Sequence, residues 1–172
     1  MANKAAPRVA LDSCVVIDIL EGNRAKNPWI THLTRDAEAG KVSLLASALA
    51  ACEVTHIAGQ ADAGQAIIAF FRRSDIDVFP VDIRVADYVR EIIGSAAGLK
   101  PPDAIHIATA ALHDAGVLLT RDAGGGRRGK SMLSLDGKLL PRRKQLRIMT
   151  PQNFDEILAK SEDKPLINGI QE

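Results

Sequence analysis

An α/β fold, with three layers α/β/α around a central, mostly parallel sheet, is what this sequence predicts. Three observations lead there. Short apolar runs alternate with amphipathic segments along most of the chain. Strands separated by helices pair in parallel and are covered on both faces. Cap residues and prolines open the helical segments and glycines close them. The 172 residues suffice for one domain, and a chain of about 150 residues buries roughly 68–70% of its unfolded surface.

The elements follow in order. "RVAL" before Asp12 is a first strand, and "SCVVIDILEG" carries apolar residues at helical spacing up to Gly22. "NPWITHLTRDAEAG" is a helix with Asn27 as N-cap and Pro28 at its first position. "KVSLLAS" is the second strand. Ser47 then caps a helix, "ALAACEVTHIAG", that stops at Gly59, and Asp62 to Arg73 completes a helical hairpin. "IDVFPV" is the third strand, followed by a helix capped by Asp82. Pro101 and Pro102 open the next helix, which closes at Gly116, and "VLLT" is the fourth strand. The segment at about 123–145 is read as a basic, glycine-rich loop with a short hairpin in "MLSLDGKLL", because Asp136-Gly137 is a turn dipeptide. "LRIMT" is the last strand and "PQNFDEIL" the last helix, capped by Thr150. The domain spans 1–160, and 161–172 is a polar tail.

Composition excludes several classes. No apolar run approaches the ~20 residues of a membrane helix. The first residues lack the apolar stretch of a signal peptide. Cys14 and Cys52 lie in apolar runs without metal-ligand spacing, so two buried thiols and a soluble, cytoplasmic protein are expected. The net charge of +1 hides an asymmetry. From Arg121 to Arg147 nine basic residues face two acids, a net +7, and the remainder has 13 basic and 19 acidic residues, a net −6. That distribution is either an electrostatic footprint for a polyanion or a solvated loop.

Ligand sites in open α/β sheets lie outside the carboxyl ends of the strands. Asp12 and Asp122 follow strands there. Glu53 lies early in the helix capped by Ser47, and Asp103 sits in the first turn behind two prolines. Each has a structural reading as well: Asp12 as a cap, Asp103 as a partner of the helix dipole, Asp122 as a turn residue. Together they place four carboxylates on one rim. Such a group repels itself unless protonated or bound to a cation, and oxygen-only ligands favour Mg²⁺ or Mn²⁺. His106 shares a helix face with Asp103. Ser13 and Thr120 adjoin the rim aspartates, where their hydroxyls hold a carboxylate or bond the local backbone.

"VALDSCVVIDILEG", "LLASALAACEV" and "KPPDAIHIATAALHDAGVLLTRD" resemble the signature blocks of the PIN domain, particularly the small VapC-type ribonucleases of bacterial toxin–antitoxin pairs. The resemblance implies an acidic quartet at Asp12, Glu53, Asp103 and Asp122, supported by Ser13 and Thr120, with His106 beside it. It implies a Mg²⁺- or Mn²⁺-dependent endoribonuclease, the toxin of a type II pair, with an RNA substrate, a small antitoxin partner and a homodimeric state. Compact members pass from the fourth acid to the last strand by a short loop. Here a basic segment intervenes, offering Arg121, Arg127, Arg128, Lys130, Arg142, Arg143 and Lys144 to RNA phosphates. None of the six aromatics lies in it, so base stacking is not expected there. A phosphotransferase using Asp12 as nucleophile is disfavoured, because haloacid-dehalogenase-like folds place a second aspartate where this chain has Cys14. The alternative is a catalytically silent PIN-like module for RNA or protein binding. "AIIAFF" (Ala66 to Phe71) is either core or a surface for a second copy or an antitoxin.

Overall fold

The computed structural model describes residues 6–123 and 130–161. In chain order the elements are β1 (Arg8–Leu11), α1 (Ser13–Glu21), α2 (Pro28–Glu38), β2 (Ser43–Ser47), α3 (Ala48–Glu53), α4 (Gly64–Phe71), β3 (Ile76–Phe79), α5 (Ile83–Ser95), α6 (Pro101–Leu112), β4 (Val117–Leu119), β5 (Arg147–Met149) and α7 (Pro151–Ser161). The five strands form one sheet in the order β3-β2-β1-β4-β5. Every neighbouring pair is parallel. The expected three-layer α/β/α architecture is therefore the one observed.

The two-residue period of the strands divides the core. Val9, Leu11, Leu44, Val117, Leu119 and Met149 pack with α1, α2, α4 and α7, around Trp29, Ile30 and Phe70. Ala10, Leu45, Leu118 and Ile148 face the other way, onto α5 and α6 through Tyr88, Ile92 and Ile107. Within "AIIAFF", Ile67 and Phe70 are core residues while Ile68 is exposed.

Four helices begin where the chain leaves the carboxyl edge of the sheet, and each has a side-chain cap, Thr150 Oγ1 accepting from Asn153 N at the start of α7. Asp12 accepts from Ser13 N, Ser47 from Leu49 N, and Asp82 from Arg84 N and Val85 N. A cap of this kind contributes about 1 kcal/mol, so sequence and topology agree on where α1, α3 and α5 start. α6 precedes β4 and runs antiparallel to it, bringing its first turn, with Asp103, to the same edge.

Three expectations need correction. The helix after Ser47 ends at Glu53, not Gly59. Val54 leaves helical geometry (φ −80°, ψ 88°) and buries its side chain, and Ile57 pairs with Gln60 in an isolated bridge. Cys52 is exposed and Cys14 half-buried, because α3 turns Cys52 outward. The His113 ring stacks on Phe79 with centroids 3.5 Å apart. The hairpin at "MLSLDGKLL" does not form, and 3₁₀ turns occupy Leu133–Leu135 and Pro141–Arg143 instead.

The reason lies in what residues 130–146 pack against. Met132, Leu135, Leu140 and Leu146 are buried in the α5–α6 core. The Asp136 carboxylate accepts from Ile148 N at 2.8 Å and from Arg147 Nε at 2.8 Å, so it caps the open side of edge strand β5 rather than a turn. Tyr88 Oη donates to Pro141 O at 2.7 Å. Arg142 bonds Glu91 and lies over the Tyr88 ring, and Lys144 pairs with Asp114. α7 continues through Ser161, beyond the expected Leu158, and the tail from 162 lies outside the described residues. No helix among the described residues is long and apolar enough to cross a membrane.

Burial pushes the Asp136 carboxyl up, but Arg147 and the Ile148 N–H more than offset this and hold it below the usual aspartate range. A lowered folded-state pKa stabilises above the unfolded value and is lost as pH falls through the folded one. Asp136→Asn is therefore expected to lower Tm by a few degrees at pH 7, with the difference closing toward acidic pH in a melting series.

Candidate metal centre

β1 is the central strand, and the backbone pairing with β4 continues one step past it, Asp12 N donating to Leu119 O at 3.0 Å. Asp12 is 6% exposed and its carboxylate is fully engaged. Oδ1 accepts from Ser13 N at 2.7 Å; Oδ2 accepts from Thr120 Oγ1 at 2.7 Å and from the Cys14 thiol at 3.0 Å. Burial, and then the neighbouring Asp12 charge, push the Cys14 thiol up to about 12, which keeps it a protonated donor. Thr120 has no solvent exposure and also accepts from Asp122 N at 2.9 Å. Asp12 thus caps α1 and gathers its neighbours' donors with one side chain.

Ser13 extends this set toward α3. Its hydroxyl donates to Glu53 Oε2, and His106 Nε2 lies 2.9 Å from the same oxygen. His106 Nε2 is also 3.3 Å from Ser13 Oγ and 3.6 Å from Asp12 Oδ1. The His106 bond holds the Glu53 carboxyl below its usual range, against the opposing effect of burial and with help from Ser13. His106 is 3% exposed, and its Nδ1 has no hydrogen-bond partner.

Asp103 is in the opposite condition. Burial raises its carboxyl pKa, and the Asp122 and Asp12 charges raise it further, with Lys100 and His106 acting the other way. Asp122 lies three residues past β4, and its Oδ2 accepts from Met132 N at 3.0 Å. Residues from β1, α3, α6 and the β4 exit thus meet on one edge, in one hydrogen-bonded set (Asp12, Ser13, Glu53, His106, Thr120) flanked by two further acids. Among the described residues, no three His, Cys, Asp or Glu side chains are gathered around one point at ligating distance.

The basic residues are placed differently. Arg121 Nε lies 2.8 Å from Asp18 Oδ2, and its Nη2 donates to Cys14 O at 3.4 Å. Arg142 and Lys144 are engaged with Glu91 and Asp114. Lys130 is tied by its backbone, its N donating to Gly98 O at 2.9 Å. Arg143 lies in the second 3₁₀ turn, and Arg127 and Arg128 lie outside the described residues. Three contributors escaped the sequence reading: Cys14, Asp18 and Ser131. A lone acid inside the apolar "SCVVIDILE" was a usable signal for Asp18. Ser131 had none, because its bond to Asp122 O (2.5 Å) joins residues nine apart, which no helix or strand spacing relates.

Comparison with known proteins bears on the family and the fold. The family model described as PIN domain matches residues 9–128. No curated protein sequence matches the chain. Among solved structures, the chain is similar to a toxin–antitoxin complex from Klebsiella pneumoniae (TM-score 0.57, 22% identity, 83% of this chain and 97% of that one). It is also similar to VapBC2 from Rickettsia felis bound to a DNA fragment from their promoter (TM-score 0.56, 13% identity, 82% and 98%). A third is DNA-bound VapBC from Salmonella typhimurium (TM-score 0.54, 16% identity, 83% and 98%). With the family model spanning most of the sheet and all four acids, this chain belongs to the PIN domain family.

Proposed function

We propose that this protein is a Mg²⁺- or Mn²⁺-dependent endoribonuclease, the toxin of a type II toxin–antitoxin pair. The observation that carries the reading is the convergence of Asp12, Glu53, Asp103 and Asp122 from four separate segments, with the Asp103 carboxyl pushed up by burial and then by the Asp122 and Asp12 charges. Acids grouped this way repel one another, and a divalent cation removes the conflict. The donors are all carboxylate oxygens, the chemistry that suits Mg²⁺ and Mn²⁺. The donor set therefore suits such an ion in its chemistry, while no three of these side chains lie at ligating distance of one point.

Asp12 and Asp103 would hold the ion directly, and Glu53 and Asp122 would act through water, complete a second site or assist proton transfer. When bound, the ion supplies Lewis-acid stabilisation of phosphoryl charge and a more acidic water. Ser13 and Thr120 fix the carboxylates they bond, and His106 keeps Glu53 ionised. Arg121, Lys130, Arg142, Arg143 and Lys144, with Arg127 and Arg128, remain candidates for phosphate contact. Because Arg121, Arg142 and Lys144 already have acidic partners, RNA would have to compete with those acids. A small antitoxin and a second copy of the chain are the proposed protein partners, in keeping with the toxin–antitoxin complexes whose fold it shares.

Three outcomes test this. In an RNA panel with Mg²⁺ or Mn²⁺, Asp12→Asn and Asp103→Asn should each lose several kcal/mol of transition-state stabilisation, a fall of about 100-fold or more; parental cleavage by either variant contradicts the assignment. Without metal, Asp103→Asn should melt higher than the parent by a few degrees, having lost a repelled charge, and should gain little when Mn²⁺ is added. A silent binding module instead predicts a parent with no Mn²⁺-dependent stabilisation. His106→Asn should move the acidic limb of the kcat/KM profile to higher pH, since the bond that lowers the Glu53 pKa is weakened.

A further inference from the structure

We infer that residues 130–146 form a brace that sets the position of Asp122 in the cation site, with Ser131 and the Met132 amide as positioning groups. This rests on the reading of Asp122 as a member of that site. Asp122 belongs to no helix or strand, so neighbouring bonds rather than a regular backbone decide where its carboxylate points. Three of those bonds come from the brace: Ser131 Oγ donates to Asp122 O at 2.5 Å, Leu133 N to the same oxygen at 3.5 Å, and Met132 N to Asp122 Oδ2 at 3.0 Å. On the other side Asp122 N is held by Thr120 Oγ1, the hydroxyl that also bonds Asp12. These bonds hold the Asp122 backbone from both sides and one carboxylate oxygen against the brace.

A positioning element must itself be fixed, and this one is fixed at both ends and along its length. Met132 is 1% exposed, and Leu135, Leu140 and Leu146 share its core. Gly98, at φ +89°, presents its carbonyl to Lys130 N in the connection leading to α6 and Asp103. At the far end Tyr88 holds Pro141 O, and Arg142 grips Glu91 and covers the Tyr88 ring. Lys144 pairs with Asp114, and Arg147 with Asp136. The charges that make the segment look like a polyanion grip are, at Arg142, Lys144 and Arg147, spent on these anchors.

The test is calorimetric titration of the full chain with Mn²⁺ alone, which needs no substrate. Supporting residues behind a metal ligand typically cost 10–100-fold in affinity, so Ser131→Ala should bind Mn²⁺ about 10-fold more weakly and Ser131→Thr should restore most of the loss. In an Asp122→Asn background Ser131→Ala should change affinity by no more than about 2-fold, because the two act as a unit. Should Ser131→Ala fail to fold, Arg142→Gln releases the far anchor, and it should weaken Mn²⁺ binding in the parent but not in Asp122→Asn. Parental affinity in these brace variants, or an equal loss with Asp122 removed, overturns the brace and leaves the cation site standing. Absence of Mn²⁺ binding by the parent chain overturns the cation site and the brace with it.

Discussion

The carboxylate of Asp12 accepts from three donors, Ser13 N, Thr120 Oγ1 and the Cys14 thiol, at the point where the central strand ends and α1 begins. Hydrogen bonds to a charged group contribute about 1.5–3 kcal/mol each, and a buried donor left unpaired costs its desolvation. Thr120 is fully buried, so loss of Asp12 strands it. Because β1 pairs with both β2 and β4, this one side chain ties the exits of two central strands, and through Ser13 the end of α3, into one cluster. The remaining acids are placed relative to it.

That concentration of carboxylates works against stability in the absence of a cation. The structure answers the repulsion differently at each acid. Asp12 is surrounded by neutral donors. Glu53 is turned to His106 and Ser13 and kept ionised. Asp103 has only weak compensation from Lys100 and His106, and its carboxyl is raised. Asp122 is drawn toward a backbone N–H of the segment that follows it. Holding like charges together costs local stability, the cost that active sites commonly carry.

The sheet and its helices were legible in the sequence because period and punctuation agreed. Ser47 and Asp82 are caps by residue type and by geometry, and the runs RVAL, KVSLLAS, IDVFPV, VLLT and LRIMT each hold a strand. The acids at strand exits were legible for the same reason, since strand ends in an α/β fold define the rim. α3 was overextended because Val54 and Ile57 continue an apolar pattern, which says nothing of whether they pack from a helix or from a loop. The segment after Asp122 was least legible. Met132, Leu135, Leu140 and Leu146 follow no period, and partners such as Glu91 and Asp114 are distant in sequence. His106 sat on the expected face, but its bond to Glu53 joins α6 to α3 across 53 residues. No spacing rule encodes such a contact.

The account turns on whether the four carboxylates serve one cation. The direct measurement is anomalous diffraction from crystals of the full chain soaked in Mn²⁺. The account predicts a Mn²⁺ peak contacted by Asp12 and Asp103, with Glu53 and Asp122 bordering it. Mn²⁺ bound only elsewhere on the chain, with the carboxylates of Asp12 and Asp103 free of metal, would contradict it.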